Sequence, residues 1–302
     1  MGLIDRTISL TLPVVPKPVV RYFSRPYIAG TTVAEALAVV RRLADQGAMS
    51  TLDILGEFVS RGEEATANTE TYIALIRKID SEGIREANVS VKLTALGLLL
   101  GGDQCLENMR RLTRQAEAGE NFVRIDMEDS ECTDKTLAIY RSLRNEFGND
   151  RVGVVLQSRL RRTLADAEAH AGPEANFRLC KGIYLEPESV AHTEDRLIRK
   201  NFIEILDGMF ARGAYVGIAT HDDWLVERSI ELIERHGRTH EQYEFQMLLG
   251  VREPLRKKLI ADGHRLRVYV PFGENWYAYS VRRLRENPQI AGYVIKALIR
   301  RG

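Results

Sequence analysis

Residues 177–220 read FRLCKGIYLEPESVAHTEDRLIRKNFIEILDGMFARGAYVGIAT. The stretch opens on a short apolar run, FRLCKGI, and closes on another, YVGIAT, each with the length and composition of a buried strand. Between them Val190, Leu197, Ile198, Phe202, Ile205, Leu206 and Met209 recur at helical intervals until Gly213, which predicts an amphipathic helix with a glycine stop. Strand, helix and strand in that order make a parallel crossover unit.

The same unit repeats on both sides. MSTLDIL from Met49, NVSVKLT from Asn88, FVRIDM from Phe122 and RVGVVLQ from Arg151 precede it, and YEFQML from Tyr243 and LRVYVP from Leu266 follow. Each interval has room for one helix. Thr133 and Asp134 are placed to cap a helix through Leu137, Tyr140 and Leu143 that Gly148 closes, and Pro254 and Gly263 bracket another. Eight strand–helix repeats close most simply into a (βα)8 barrel of the TIM type, an α/β fold. An open doubly wound sheet would usually carry a Gly-rich first turn, and no GxGxxG occurs in the chain. The runs are nearly continuous in apolar residues, which predicts apolar packing on both faces of the sheet.

Residues 1–47 lie outside the eight units, with a helix expected over 32–46. They read as an N-terminal helical extension on a barrel of residues 48–302. Tyr293–Arg301 is a short basic amphipathic segment that reads as a docked terminal helix in preference to a contact with a membrane surface. With 43 Lys+Arg against 42 Asp+Glu, the 302-residue chain lacks the basic excess of a nucleic-acid binder that neutralises phosphates. Cys105, Cys132 and Cys180 show no CxxC spacing, pointing to a reducing compartment. Asp5, Arg6 and prolines at 13, 16 and 18 interrupt any signal-peptide core, and no stretch approaches the roughly 18 apolar residues of a membrane span. A cytoplasmic protein without a spanning segment is expected.

A barrel's active site lies where its strands end. Those ends read Glu57, Lys92, Asp126, Gln157, Lys181 with Tyr184, Thr220 with His221, Gln246, and Tyr269. Any single one could simply mark a strand emerging into solvent. Lys92, Asp126, Gln157, Arg178 and Gln246, however, lie inside or against apolar runs, where an unpaired polar group costs about 1–3 kcal/mol. In NWYAYSVRRLRENP (275–288), Tyr277, Val281 and Leu284 form an apolar stripe, and Tyr279, Arg282, Arg283 and Glu286 fall within about 100° on the other side. That side is either a solvated face or, with Lys92, a receptor for a substrate carboxylate. His221, Asp222 and Asp223 suggest a metal, but no second histidine stands at a strand end. Lys92 and Lys181 would suit a Schiff-base lyase. The residues taken alone leave these chemistries open.

Seven segments in order resemble the proline dehydrogenase family: LDILGE (52–57), VSVKLTALG (89–97), RIDMED (124–129), RLCKGIYLEPE (178–188), GIATHD (217–222), YEFQMLLG (243–250) and RVYVPFG with YSVRRLRE (267–286). The resemblance implies a monofunctional bacterial enzyme with non-covalent FAD in the barrel and no metal. It would oxidise L-proline to 1-pyrroline-5-carboxylate by hydride transfer to flavin N5. Electrons would leave through a membrane quinone and the product would pass to a pyrroline-5-carboxylate dehydrogenase, which makes peripheral association with the inner membrane face an expectation. Carried over by motif, Arg282 and Arg283 with Lys92 hold the proline carboxylate, Glu286 shares their helix face, and Tyr184 and Tyr269 enclose the ring. Glu57 pairs with the second arginine and gates the pocket. Asp126 and Arg178 sit at the reacting centre, and Met127, Gln157, Lys181, Gly182, Ile183, Thr220 and His221 line the flavin site. The chain departs from the family's common strand-five segment at Cys180, Ile183 and Leu185.

Overall fold

The computed structural model describes residues 17–286, with the backbone alone for Val19, Arg282, Leu284, Arg285 and Glu286. The early prolines at 13 and 16, Pro288 and the expected helix Tyr293–Arg301 lie outside the described residues. Among the described residues, the helices α1 (Lys17–Ser24) and α2 (Val33–Ala44) precede the first strand, β1 (Met49–Ile54). Then follow α3 (Gly62–Ser81), β2 (Ala87–Val91), α4 (Gly102–Ala118), β3 (Val123–Ile125), α5 (Thr133–Phe147), β4 (Val152–Gln157) and α6 (Thr163–His170). The second half runs β5 (Asn176–Cys180), α7 (Asp195–Ala211), β6 (Tyr215–Ala219), α8 (Asp223–Arg235), β7 (Tyr243–Leu248), α9 (Glu253–Ala261), β8 (Leu266–Phe272) and α10 (Trp276–Glu286).

The eight strands form a closed barrel in sequence order. Every neighbouring pair is parallel, and β8 closes on β1 with Met49 opposite Arg267 and Ile54 opposite Phe272. The apolar core is the annulus between sheet and helices. Val89, Ile125, Val154, Phe177, Leu179, Val216, Phe245 and Val268 are fully buried there beneath Ile76, Met109, Tyr140, Phe202 and Leu225 of the helices. Burying each such side chain stabilises the fold by roughly 1.5–3 kcal/mol.

Inside the barrel the expectation of apolar packing fails. The strands alternate after all, and the inward residues are polar: Thr51 bonds Asn88, Arg124 bonds Asn176, and Arg267 bonds Glu244. Branched aliphatic side chains usually fill this space. Here paired polar groups do, bonded to one another across the lower interior. Glycines make room for them. A Cβ at Gly153 would overlap Arg124, and one at Gly217 would overlap the Gln246 amide.

Two local expectations also shift. Val190 is exposed and lies outside α7, which begins at Asp195, so the helical pattern carried five residues too far. Thr133 is the first residue of α5, and the preceding turn is capped by Asp129, whose carboxylate accepts the Cys132 N–H at 3.2 Å. The helix expected over 32–46 is α2, opened by a reciprocal Thr32–Glu35 capping box. It buries Ala36, Leu37, Val40 and Leu43 in the barrel's own core. The helix α10 lies over the barrel mouth and packs on α1, with Lys17 over the Tyr277 ring and Arg21 over the Trp276 ring, each at 5.8 Å.

Candidate active site

A cavity of about 1380 Å³ opens at the carboxyl ends of the strands. All eight strands contribute: Glu57, Lys92, Asp126, Gln157, Lys181 with Tyr184, Thr220 with His221, Gln246 and Tyr269 line it. Met127, Arg178, Gly182 and Ile183 do so too, and Tyr279 and Arg283 approach from α10. Both are 9% exposed, so this side of α10 turns inward and is no solvated face. Arg282 and Glu286 belong to the same helix, but their side chains lie outside the described residues.

The centre of the cavity is a chain of alternating charges. Lys92 Nζ lies 2.8 Å from Asp53 Oδ2, and the Tyr72 hydroxyl donates to the other Asp53 oxygen at 3.3 Å. Burial works against the Lys92 charge, but Asp53 and Asp126 outweigh it, and the lysine's pKa is raised. Arg178 Nη1 donates to Asp126 Oδ1 at 2.7 Å and to Ser90 Oγ at 3.2 Å, while its Nε donates to Gln246 Oε1. Ser90 Oγ also donates to Asp126 Oδ1 at 2.7 Å, and the Tyr269 hydroxyl to Oδ2 at 3.3 Å. The Arg178 guanidinium stacks 5.6 Å from the Tyr269 ring centre. Both Asp126 oxygens are engaged, so Asp126 orients its neighbours.

The far wall holds the residues assigned to the cofactor by resemblance. Gln157 Nε2 donates to the Glu128 carbonyl at 2.7 Å, leaving its Oε1 against Gly182, whose φ of +95° suits glycine. Lys181 Nζ bridges Asp195 and Asp222 at 2.8 and 2.6 Å, and Arg199 Nε adds a bond to Asp222 at 2.7 Å. Arg159 Nε is buried without an acceptor. His221 Nε2 accepts the Leu248 N–H at 2.8 Å, and burial, helped by Arg283 and Arg252, pushes its pKa down to about 4.

These contacts weigh against the rival chemistries. The His221 Nε2 lone pair is spent on a backbone amide, and among the described residues no group of three or more His, Cys, Asp and Glu could hold a metal ion. A Schiff base needs a neutral amine, whereas Lys92 and Lys181 are both ion-paired with carboxylates. Sequence reasoning passed over Asp53, Ser90, Arg159 and Glu244. Asp53 and Glu244 carried a signal, since each is a carboxylate inside an apolar run, the criterion that picked out Lys92. Ser90 carried none.

The comparisons agree with the geometry. The model of the family described as proline dehydrogenase matches residues 36–295. Proline dehydrogenase of Deinococcus radiodurans is 36% identical over 277 residues, covering 91% of this chain and 89% of that protein. Proline dehydrogenase 2 of Bacillus subtilis is 36% identical over 274 residues, with the same coverage of 91% and 89%. Among solved structures, proline utilization A from Bdellovibrio bacteriovorus, inactivated by N-propargylglycine, superposes with a TM-score of 0.82 at 26% identity over 88% of this chain. This chain spans only 32% of that protein's length.

Proposed function

Since the chain belongs to the proline dehydrogenase family, we propose that it oxidises L-proline to 1-pyrroline-5-carboxylate with non-covalently bound FAD and passes the electrons to a membrane quinone. The observation that carries this reading is the cavity itself, where all eight strands deliver polar side chains around an Arg178–Asp126–Lys92–Asp53 charge chain. At about 1380 Å³ it exceeds the roughly 300–1,000 Å³ typical of a small-ligand pocket, leaving space for a second, larger molecule beside an imino acid. The chain's residues fit a flavin dinucleotide. Arg159 lines the cavity and would set its positive charge against an anionic group, and Gly182 keeps the wall at Gln157 free of a Cβ. Met127, Gln157, the backbone of Lys181, Gly182 and Ile183, Thr220 and His221 would hold it.

When bound, FAD supplies the two-electron acceptor for a hydride leaving the ring carbon next to nitrogen. The chain's residues do the rest. Lys92, Arg282 and Arg283 anchor the carboxylate, Tyr184 and Tyr269 enclose the ring, and Glu57 and Glu286 balance the arginines of α10. Held at both ends, the substrate keeps one C–H aimed in a single direction. Arg178 is fixed on three sides by Asp126, Ser90 and Gln246, so its charge stabilises developing negative charge without reorganising. Asp126 Oδ1 is taken up by Ser90 and Arg178, while Oδ2 accepts only from Tyr269 at 3.3 Å and is the oxygen with room left to influence the amine's proton.

The rim supports a lipid-borne acceptor and peripheral membrane association. Phe58, Leu99, Leu100, Ile183, Leu185 and Val190 are exposed apolar residues on loops that follow strands, on the face where the cavity opens. No described helix is long and apolar enough to cross a membrane. A pyrroline-5-carboxylate dehydrogenase would take the product. The visible spectrum of the purified protein tests the reading: a flavin spectrum that bleaches on anaerobic addition of proline is expected. A colourless protein that takes up no FAD, or a flavin that proline leaves oxidised, overturns it.

A further inference from the structure

One buried cluster below the cavity floor remains without a role. Glu244, 2% exposed, accepts two bonds from Arg267, at 2.7 Å to Oε1 and 3.1 Å to Oε2. Its Oε1 also accepts from Gln246 Nε2 at 2.5 Å. Gln246 in turn offers Oε1 to Arg178 Nε.

This sequence of contacts has a direction. An amide can present either end to a neighbour, and usually nothing forbids it from turning over. Here an ionised carboxylate that can only accept stands on one side of Gln246, and a guanidinium that can only donate stands on the other. The pairing with Arg267 keeps Glu244 ionised, since the arginine's charge and hydrogen bonds outweigh burial and lower the carboxyl pKa to about 2. The amide therefore has one stable orientation. Its seat is also preset, for a Cβ at Gly217 on the adjoining strand would stand 2.9 Å from Gln246 Cδ and closer still to Nε2. Gly217 does not need glycine for its backbone, which lies outside the left-handed region; it is small because the Gln246 side chain occupies the space.

We propose that Glu244, Gln246 and Gly217 are positioning residues that fix Arg178 at the reacting centre, Glu244 by setting the polarity of the Gln246 amide and Gly217 by seating it. This rests on the role proposed above for Arg178. None of the three needs to touch substrate.

The test uses FAD-loaded protein and two readouts. In anaerobic stopped-flow with proline, Gln246→Met and Gly217→Ala should each lower the limiting rate of flavin bleaching tenfold or more while the proline dissociation constant stays within twofold. Glu244→Gln, whose amide can donate as well as accept, should lose less than Gln246→Met but more than twofold. The second readout is thermal unfolding, independent of proline. Gly217→Ala should lower Tm when Gln246 is present and leave it unchanged in a Gln246→Ala background. A bleaching rate within twofold of the parent in Gln246→Met, or an equal Tm penalty for Gly217→Ala in both backgrounds, overturns the proposal. Should the parent protein fail to bleach with proline, the proposed function is lost, and the unfolding comparison still decides whether Gly217 seats the amide.

Discussion

Asp53→Asn removes the anchor of Lys92 and leaves almost everything else in place. The two side chains are 1% and 12% exposed and 2.8 Å apart, so the lysine cannot exchange its partner for bulk water. At an effective dielectric of about 20, attraction at that distance is of order 6 kcal/mol, and desolvation of both ions offsets much of it. Deleting one member of such a pair typically costs about 3–5 kcal/mol, because the survivor stays buried and uncompensated. The substituted amide could still accept from Tyr72, and Lys92 keeps the attraction of Asp126, which places the loss near the lower end, about 3 kcal/mol. For a chain of this size that is a fall in Tm of roughly 5 °C. Lys92→Met is the partner experiment. It strands a carboxyl that can take up a proton, so its penalty should grow as pH rises above the ordinary aspartate value of about 4. The double variant should recover at least about 2 kcal/mol relative to the sum of the singles. An Asp53→Asn protein as stable as the parent, or a cycle additive within about 0.5 kcal/mol, would show that the pair is not formed.

Four further outcomes are expected. Arg283→Ala should raise the apparent KM for proline about 30-fold or more, equivalent to about 2 kcal/mol, and steady-state kinetics showing an unchanged KM would remove the arginine from the carboxylate site. Tyr269→Phe deletes the 3.3 Å bond to Asp126 but keeps the ring over Arg178, so turnover should fall less than tenfold, whereas Tyr269→Ser should also shift preference from proline toward hydroxyproline. Burial pushes the Glu128 carboxyl up to about 7 against the opposing bonds from Thr94, so the folded protein retains a proton that the unfolded chain releases. Stability should then decline by about 3 kcal/mol as pH rises from about 4.5 to 7, and urea unfolding should find that slope flattened in Glu128→Gln. His221, held neutral to about pH 4, acts in the opposite sense. The unfolded chain takes up a proton below about pH 6.5 that the folded one refuses, so stability should erode from there toward pH 4, and acid titration of His221→Gln should show less erosion.

The barrel was legible because the outward half of most strands is hydrocarbon. Val89 and Val91, Phe177 and Leu179, Val268 and Val270 announce their strands whatever lies between them. Of what lay between them, the polar residues near the strand ends were singled out from the sequence, while Ser90 and Glu244 passed as part of the apolar runs. Ser90, Arg178 and Tyr269 alternate with those residues inside the barrel, Arg178 and Tyr269 lining the cavity, and each finds a polar partner across the barrel. The strand-end residues were recoverable one at a time from the cost of burying them alone. Their partners were not, since the bond from Arg178 to Gln246 spans 68 positions and that from Tyr269 to Asp126 spans 143. Val190 shows the converse limit. Its spacing fits the helix, but Pro187 and the turn before Asp195 keep it out.

The contacts between α1 and α10 tie segments from opposite ends of the described chain across the mouth. The seam between β1 and β8 joins the same two ends. During synthesis neither can form until the last strand has left the ribosome, so the nascent protein passes through a stage in which seven strands and their helices are complete while one side stays open. The cavity is widest to the outside at that stage, and fastening α1 to α10 afterwards covers part of its mouth.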